Sequence, residues 1–145
     1  METNFSFITF AVDNLEKSVS FYRDGLGWKT DGIVAKELHD KVTDAYGTIA
    51  FFTFKNGIVL GLYERKNLAK DAKIKQDNIS STEFSLGYPA KSKDEVDSIL
   101  KRAEAAGAIV TATPHERPWG IYSGYFKDVD GHLWEIVYQF PAKQS

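Results

Sequence analysis

The sequence predicts an α+β fold made of two βαβββ modules, and three features carry that reading. A strand followed by a capped helix occurs twice, about 79 residues apart judged from Glu16 to Glu95. Each copy is followed by three runs rich in β-branched and aromatic residues. In each copy the last two runs flank a glycine-containing turn, Lys55-Asn56-Gly57 in the first and Asp128-Val129-Asp130-Gly131 in the second. At 145 residues this is one domain, with module 1 over about 1–65, a linker over about 66–81 and module 2 over about 82–140.

The elements follow in order. Residues 5–12 alternate, with Ile8, Phe10 and Val12 on one side and Phe7, Thr9 and Ala11 on the other. Asp13 is expected to cap a helix, with Glu16 closing a capping box, Leu15, Val19 and Tyr22 forming its apolar stripe and Gly25 ending it. Residues 29–47 show no clear period. Residues 48–54 and 58–63 read as a hairpin, and residues 64–81 as a lysine-rich linker or short surface helix. Residues 83–90 alternate again. Ser92 and Glu95 form a second capping box, Val96, Ile99, Leu100 and Ala103 make a stripe, and Gly107 stops the helix. A short strand over 109–113, a loop over 114–118 and a hairpin over 119–138 complete the copy. A helix covers one face of each sheet, so the other faces must form a cavity or an interface.

Composition narrows the function. Hydrophobic residues make up 43% and aromatic residues 14%, enough for a core. No apolar run is long enough to span a bilayer, and METNFSF lacks the order of a secretion signal, so a soluble, unprocessed protein without membrane association is expected. There is no Cys, hence no disulfide or thiolate chemistry, which fits a cytoplasmic setting. A formal charge of −2 without an aromatic-interleaved basic stripe argues against nucleic acid as a partner. P-loop, dinucleotide-binding, nucleophile-elbow and His-Glu-x-x-His patterns are all missing.

Glu135 is the first candidate for chemistry. Alternation along the closing strand puts Trp134, Ile136 and Tyr138 on one face and Leu133, Glu135 and Val137 on the other. A carboxylate between two aliphatic residues needs solvent, a proton, a cation or a ligand.

The run Phe10-Ala11-Val12-Asp13-Asn14-Leu15-Glu16-Lys17-Ser18 leads into Phe21-Tyr22-Arg23-Asp24-Gly25-Leu26-Gly27-Trp28. The chain closes on Trp119-Gly120-Ile121-Tyr122-Ser123-Gly124-Tyr125-Phe126 and on Asp128-Val129-Asp130-Gly131-His132-Leu133-Trp134-Glu135. With these segments nearly the whole chain resembles the vicinal oxygen chelate superfamily, which includes glyoxalase I, bleomycin-resistance proteins, fosfomycin-resistance enzymes and extradiol dioxygenases. Val129 departs from the family's usual Pro. The resemblance implies that the modules form a paired, partly open, β-barrel-like cleft, and that metal-using members draw ligands from the first and last strands of each module. Carried onto this chain, those positions are Phe7, Gly61, about Ser85 (Phe84 if the register slips) and Glu135. One of the four is a good ligand.

The leading expectation is therefore a protein that binds a small organic ligand in an aromatic-lined cleft, with Glu135 as its functional carboxyl group and no cofactor. Phe7, Gly61, Ser85, His115, Arg117, Trp119 and Tyr122 are its candidate ligand-binding residues. Each has a plainer reading: Trp119, Tyr122, Trp28 and Tyr125 as core aromatics, Arg117 as a solvated charge, His115 and His39 as surface residues, His132 as a structural or surface residue, and Ser123 as a small strand residue. The alternative is a metal-dependent lyase, isomerase or dioxygenase that uses Glu135 with Zn, Ni, Fe or Mn. A third reading keeps the fold only for structure or interaction. The resemblance also implies a homodimer.

Overall fold

The computed structural model describes residues 1–76 and 84–142, and contacts divide the chain into two compact units, residues 1–79 and 80–145. The expected strand start at Glu83 and the end of the 64–81 segment lie outside the described residues. No described helix is long and apolar enough to cross a membrane.

The first unit runs β1 (Phe7–Val12), α1 (Leu15–Ser20), a π-helical turn (Phe21–Gly25), β2 (Ile33–Val34), β3 (Ile49–Thr53), β4 (Val59–Glu64) and α2 (Arg65–Ala72). Its open sheet has the order β1-β4-β3-β2, with β1 parallel to β4 and the other pairs antiparallel. Alternation sends Phe10, Val12, Ala50, Phe52, Leu60 and Leu62 into a core with Leu15, Val19, Phe21 and Tyr22. Trp28 extends it, stacking on Tyr22 at 5.3 Å. On the opposite face Thr9 and Phe51 each stand in register with Gly61.

Two local expectations change here. Asn14, one residue later than Asp13, caps α1, its side chain accepting the Lys17 N–H at 3.0 Å. Asp13 is instead paired with Arg65 at 2.9 Å. The helical segment ends on Gly25 through a π turn, but Gly25 is not left-handed: Leu26 stays right-handed and the positive φ falls on Gly27.

The second unit runs β5 (Leu86–Pro89), α3 (Lys93–Ala105), β6 (Ile109–Arg117), β7 (Ile121–Lys127) and β8 (Leu133–Gln139), in the sheet order β5-β8-β7-β6. Again the first strand is parallel to the last, β5 to β8. Ser92 caps α3 as expected, accepting the Glu95 N–H at 3.0 Å. Val96, Leu100 and Ala103 of α3 are buried, as are Phe126, Trp134 and Ile136 of the sheet. The expected loop over 114–118 is strand: β6 pairs with β7 to Arg117↔Ile121, accommodating its length by two register irregularities.

Among the described residues the α+β architecture is thus two four-stranded mixed sheets with three α-helices, neither sheet closed on itself. Gly124 shows how closely α3 packs. A Cβ there would lie 2.5 Å from Leu100 Cδ1 and 2.9 Å from the Ala112 carbonyl oxygen. At Gly61 the nearest atom would be 3.4 Å away, an ordinary contact. Gly124→Ala is expected to destabilise the protein by about 1–3 kcal/mol through overpacking. Gly61→Ala should be neutral or stabilising by up to about 1 kcal/mol through reduced unfolded-state entropy. Urea denaturation of the two variants checks the contrast.

Candidate functional site

On β8, Glu135 faces away from α3, between Leu133 and Val137, while buried Trp134 and Ile136 face the core. The turn after β7 sets Tyr125 directly opposite Glu135 and Ser123 opposite Val137. β6 adds His115 opposite Ser123 and Arg117 two residues further along. On the other side of β8, Gly87 of β5 stands opposite Glu135. One face of four strands therefore gathers Gly87, Glu135, Ser123, Tyr125, His115 and Arg117.

Ser123 is the junction of this face. It is fully buried, and its hydroxyl donates to Glu135 Oε2 at 2.8 Å while accepting from Arg117 Nε at 3.1 Å. Arg117 Nη2 also donates to the Ser123 carbonyl at 3.3 Å, and the guanidinium carbon lies 5.6 Å from the centre of the Tyr125 ring. Burial pushes the Tyr125 phenol up, the charge of Glu135 and a hydrogen bond to it push the same way, and Arg117 opposes them. A carboxylate, a guanidinium and a neutral phenol are thus grouped around one hydroxyl, an arrangement able to orient a polar group of a bound molecule.

The other candidates separate. Trp119 is 69% exposed in the turn between β6 and β7, next to Gly120 at φ +84°. His115 is exposed, its Nδ1 3.4 Å from the Thr113 carbonyl oxygen. Ser85 is exposed just before β5. Phe7 is 67% exposed on β1, and Gly61 lies on the same face of its own sheet. Tyr122 departs from expectation: its hydroxyl donates to Asp97 of α3 at 2.6 Å and Lys93 lies 5.6 Å from its ring, on the helix side of the sheet. Paired with Tyr138 in the hairpin, Tyr122 has a parity that opposes that of Ser123 and Glu135.

Ser123 and Tyr125 are the participants that residue-by-residue reading passes over. The signal for them was present in the hairpin: once the turn at 128–131 pairs Lys127 with Leu133, Tyr125 must face Glu135, and Ser123 follows two residues on.

The donor set does not fit the metal triad that the resemblance implies. Phe7, Gly61 and Ser85 offer no imidazole or carboxylate, and Glu135 already accepts the Ser123 hydroxyl. Among the described residues one other group, Asp128, Asp130 and His132, has ligand atoms within 4.8 Å of one another. Its hydrogen bonds are those of a buried turn. Asp128 Oδ1 accepts the N–H groups of Asp130 at 2.9 Å and His132 at 2.8 Å, and Oδ2 lies 2.9 Å from His132 Nδ1.

Comparison with known proteins agrees with this architecture. The model of the Glyoxalase/Bleomycin resistance protein/Dioxygenase superfamily matches residues 4–136. A glyoxalase-related enzyme from Fulvimarina pelagi is similar at 27% identity and a TM-score of 0.76, over 95% of this chain and 89% of that one. A lactoylglutathione lyase from Agrobacterium tumefaciens shares 22% identity and a TM-score of 0.62, over 94% of each chain. A genomically encoded fosfomycin resistance protein from Listeria monocytogenes gives 22% and 0.65, over 95% of this chain and 94% of that one. At the identities of the last two, the likeness is one of fold. No curated protein matches the sequence.

The Tyr122–Asp97 bond gives a pH signature. It holds the Tyr122 phenol in its neutral form, pushed up to about 12, with Asp97 the largest cause. A raised folded-state value means that the stabilisation is fully present below the ordinary tyrosine value near 10 and is lost as pH rises through about 12. Tyr122→Phe should lower stability at pH 8 by about 1 kcal/mol and flatten the decline between pH 10 and 12. Chemical denaturation across that range measures both.

Proposed function

The chain belongs to the Glyoxalase/Bleomycin resistance protein/Dioxygenase superfamily, and we propose that it binds a small organic molecule through the face of the second sheet turned away from α3, without a divalent-metal triad. The observation that supports this most is the state of Glu135, held by Ser123 and compensated by Arg117 one hydroxyl away. In this reading Ser123 fixes the direction of the carboxyl group, Arg117 supplies a positive charge to a polar substituent, and exposed Trp119 offers apolar surface. Ser85 precedes β5 and His115 flanks Ser123, while Phe7 and Gly61 occupy the corresponding outward face of the first unit's own sheet.

The alternative, a metal-dependent lyase, isomerase or dioxygenase, would use Glu135 as ligand or general base. One experiment separates the two. Zn, Ni, Fe and Mn are measured in native protein and in Glu135→Gln at matched folding. Substoichiometric metal in both is expected. Stoichiometric metal in the native protein that is lost in the variant would overturn the metal-free reading.

We further propose that the protein acts as a homodimer in the cytoplasm. Apolar side chains left at the surface, among them Phe5, Val34 and Ile109, are compatible with an interface. Light scattering at micromolar concentration should give twice the 16.3 kDa chain mass, and a monomer mass would contradict it.

A further inference from the structure

In the first unit a cavity of about 540 Å³ lies on the sheet face opposite α1, walled by β3, β4, α2 and residues 38–47. We propose that it binds an organic cation, an amine carried on an aromatic or short apolar body. Three aromatic side chains, Tyr46, Phe51 and Tyr63, line it together with the carboxylates of Asp40 and Asp71. No Lys or Arg is among the lining residues, and His39 is the one basic side chain there. Aromatic faces and carboxylates both attract a positive charge, and the carboxylates would repel an anion.

The walls are built and not merely adjacent. The Tyr63 hydroxyl donates to the Tyr46 carbonyl, and the side chain of buried Asn67 accepts the Tyr46 N–H at 2.9 Å. His39 forms a β-bridge with Tyr46, and their ring centres lie 4.6 Å apart. Asp44 then takes both nearby basic groups, His39 Nε2 at 2.8 Å and Lys70 Nζ at 3.2 Å. That pairing offsets the charge of Lys70 outside the lining and leaves Asp40 and Asp71 as the dominant charges within it.

Titration shifts favour an ionised Asp40 and a neutral Tyr63. The Val42 backbone N–H holds the Asp40 carboxyl below its ordinary range. Burial pushes the Tyr63 phenol up, and the charges of Asp71, Glu64 and Asp40 add to the rise. A metal ion suits the site less well, because Asp40, Asp71 and His39 do not bring ligand atoms within 4.8 Å of one another.

The inference deepens the small-molecule reading by naming a ligand class, but it stands on first-unit residues alone, so it can fail while the Glu135 reading holds. The test titrates isotopically labelled full-length protein with phenethylamine, phenethyl alcohol and phenylacetate, three probes of similar size and opposite or no charge. Phenethylamine should shift the amide signals of Tyr46 and Phe51 and bind roughly tenfold more tightly than the alcohol, while phenylacetate should not bind. Asp71→Asn, on the exposed side of α2, should weaken amine binding about fivefold and leave alcohol binding unchanged. Asp40→Asn, which keeps the acceptor for Val42, should act in the same direction. Equal binding of amine and alcohol, binding of phenylacetate, amine shifts confined to other residues, insensitivity to both variants, or no saturable amine binding would each overturn the proposal. Glu135→Gln run in parallel identifies any loss that belongs to the second unit instead.

Discussion

A hydroxyl with no solvent exposure joins a guanidinium to a carboxylate across β6, β7 and β8, and the polar face of the second sheet depends on it. Glu135 sits between two aliphatic neighbours, where an unpartnered carboxylate would be costly. Ser123 answers that cost from the adjacent strand and passes part of it to Arg117, so a single buried oxygen carries two charge-assisted hydrogen bonds. Among the described residues no buried side-chain polar atom lacks a partner. The small residue at 123 is needed for its oxygen, whereas the small residue at 124 is needed for its lack of a Cβ beneath Leu100.

The register of those strands depends in turn on a second buried polar group. Asp128 draws in two backbone N–H groups and the His132 ring, and its own N–H reaches the His132 carbonyl at 2.9 Å. Gly131 supplies the positive φ of +90° that closes the turn. A one-residue change in that turn would rotate every residue of β8 to the other face and put Glu135 into the core. The acidic turn therefore affects the site through geometry, at a distance, by deciding which side chains share a face.

The legible parts of the chain were those governed by local period and local turns. The N-cap at Ser92, the hairpins around Gly57 and Gly131, and the parity of Glu135 all follow from residues within a few positions of one another. The misread parts depend on partners far along the chain. Asp13 loses the capping role to Asn14 and meets Arg65, 52 residues away. Tyr122 has strand parity opposite to Ser123 within its own hairpin and meets Asp97 of α3, 25 residues away. Residues 29–47 gave no period because side-chain bonds hold them: Thr30 donates to the Phe51 carbonyl at 2.6 Å, and Asn67 grips Tyr46. No window of adjacent residues contains that information.

The two units put the same backbone plan to different chemical use. Gly61 stands opposite Thr9 as Glu135 stands opposite Gly87, each on the last strand where it runs parallel to the first. At that equivalent place one unit has a residue with no side chain, packed among Ile49, Phe51 and Thr9, and the other has a carboxylate held by two neighbours. The first unit instead carries its charges on residues 38–47 and on α2, around a cavity with aromatic walls. Hydrogen-bond ladders and apolar parity preserve the repeat of strands and helices whatever occupies the outward positions, so those positions are free to diverge. Membership of the superfamily thus accounts for the shared plan of strands and helices, while the outward residues, Glu135, Ser123 and Arg117 in one unit and Asp40, Asp71 and Tyr46 in the other, differ in chemistry.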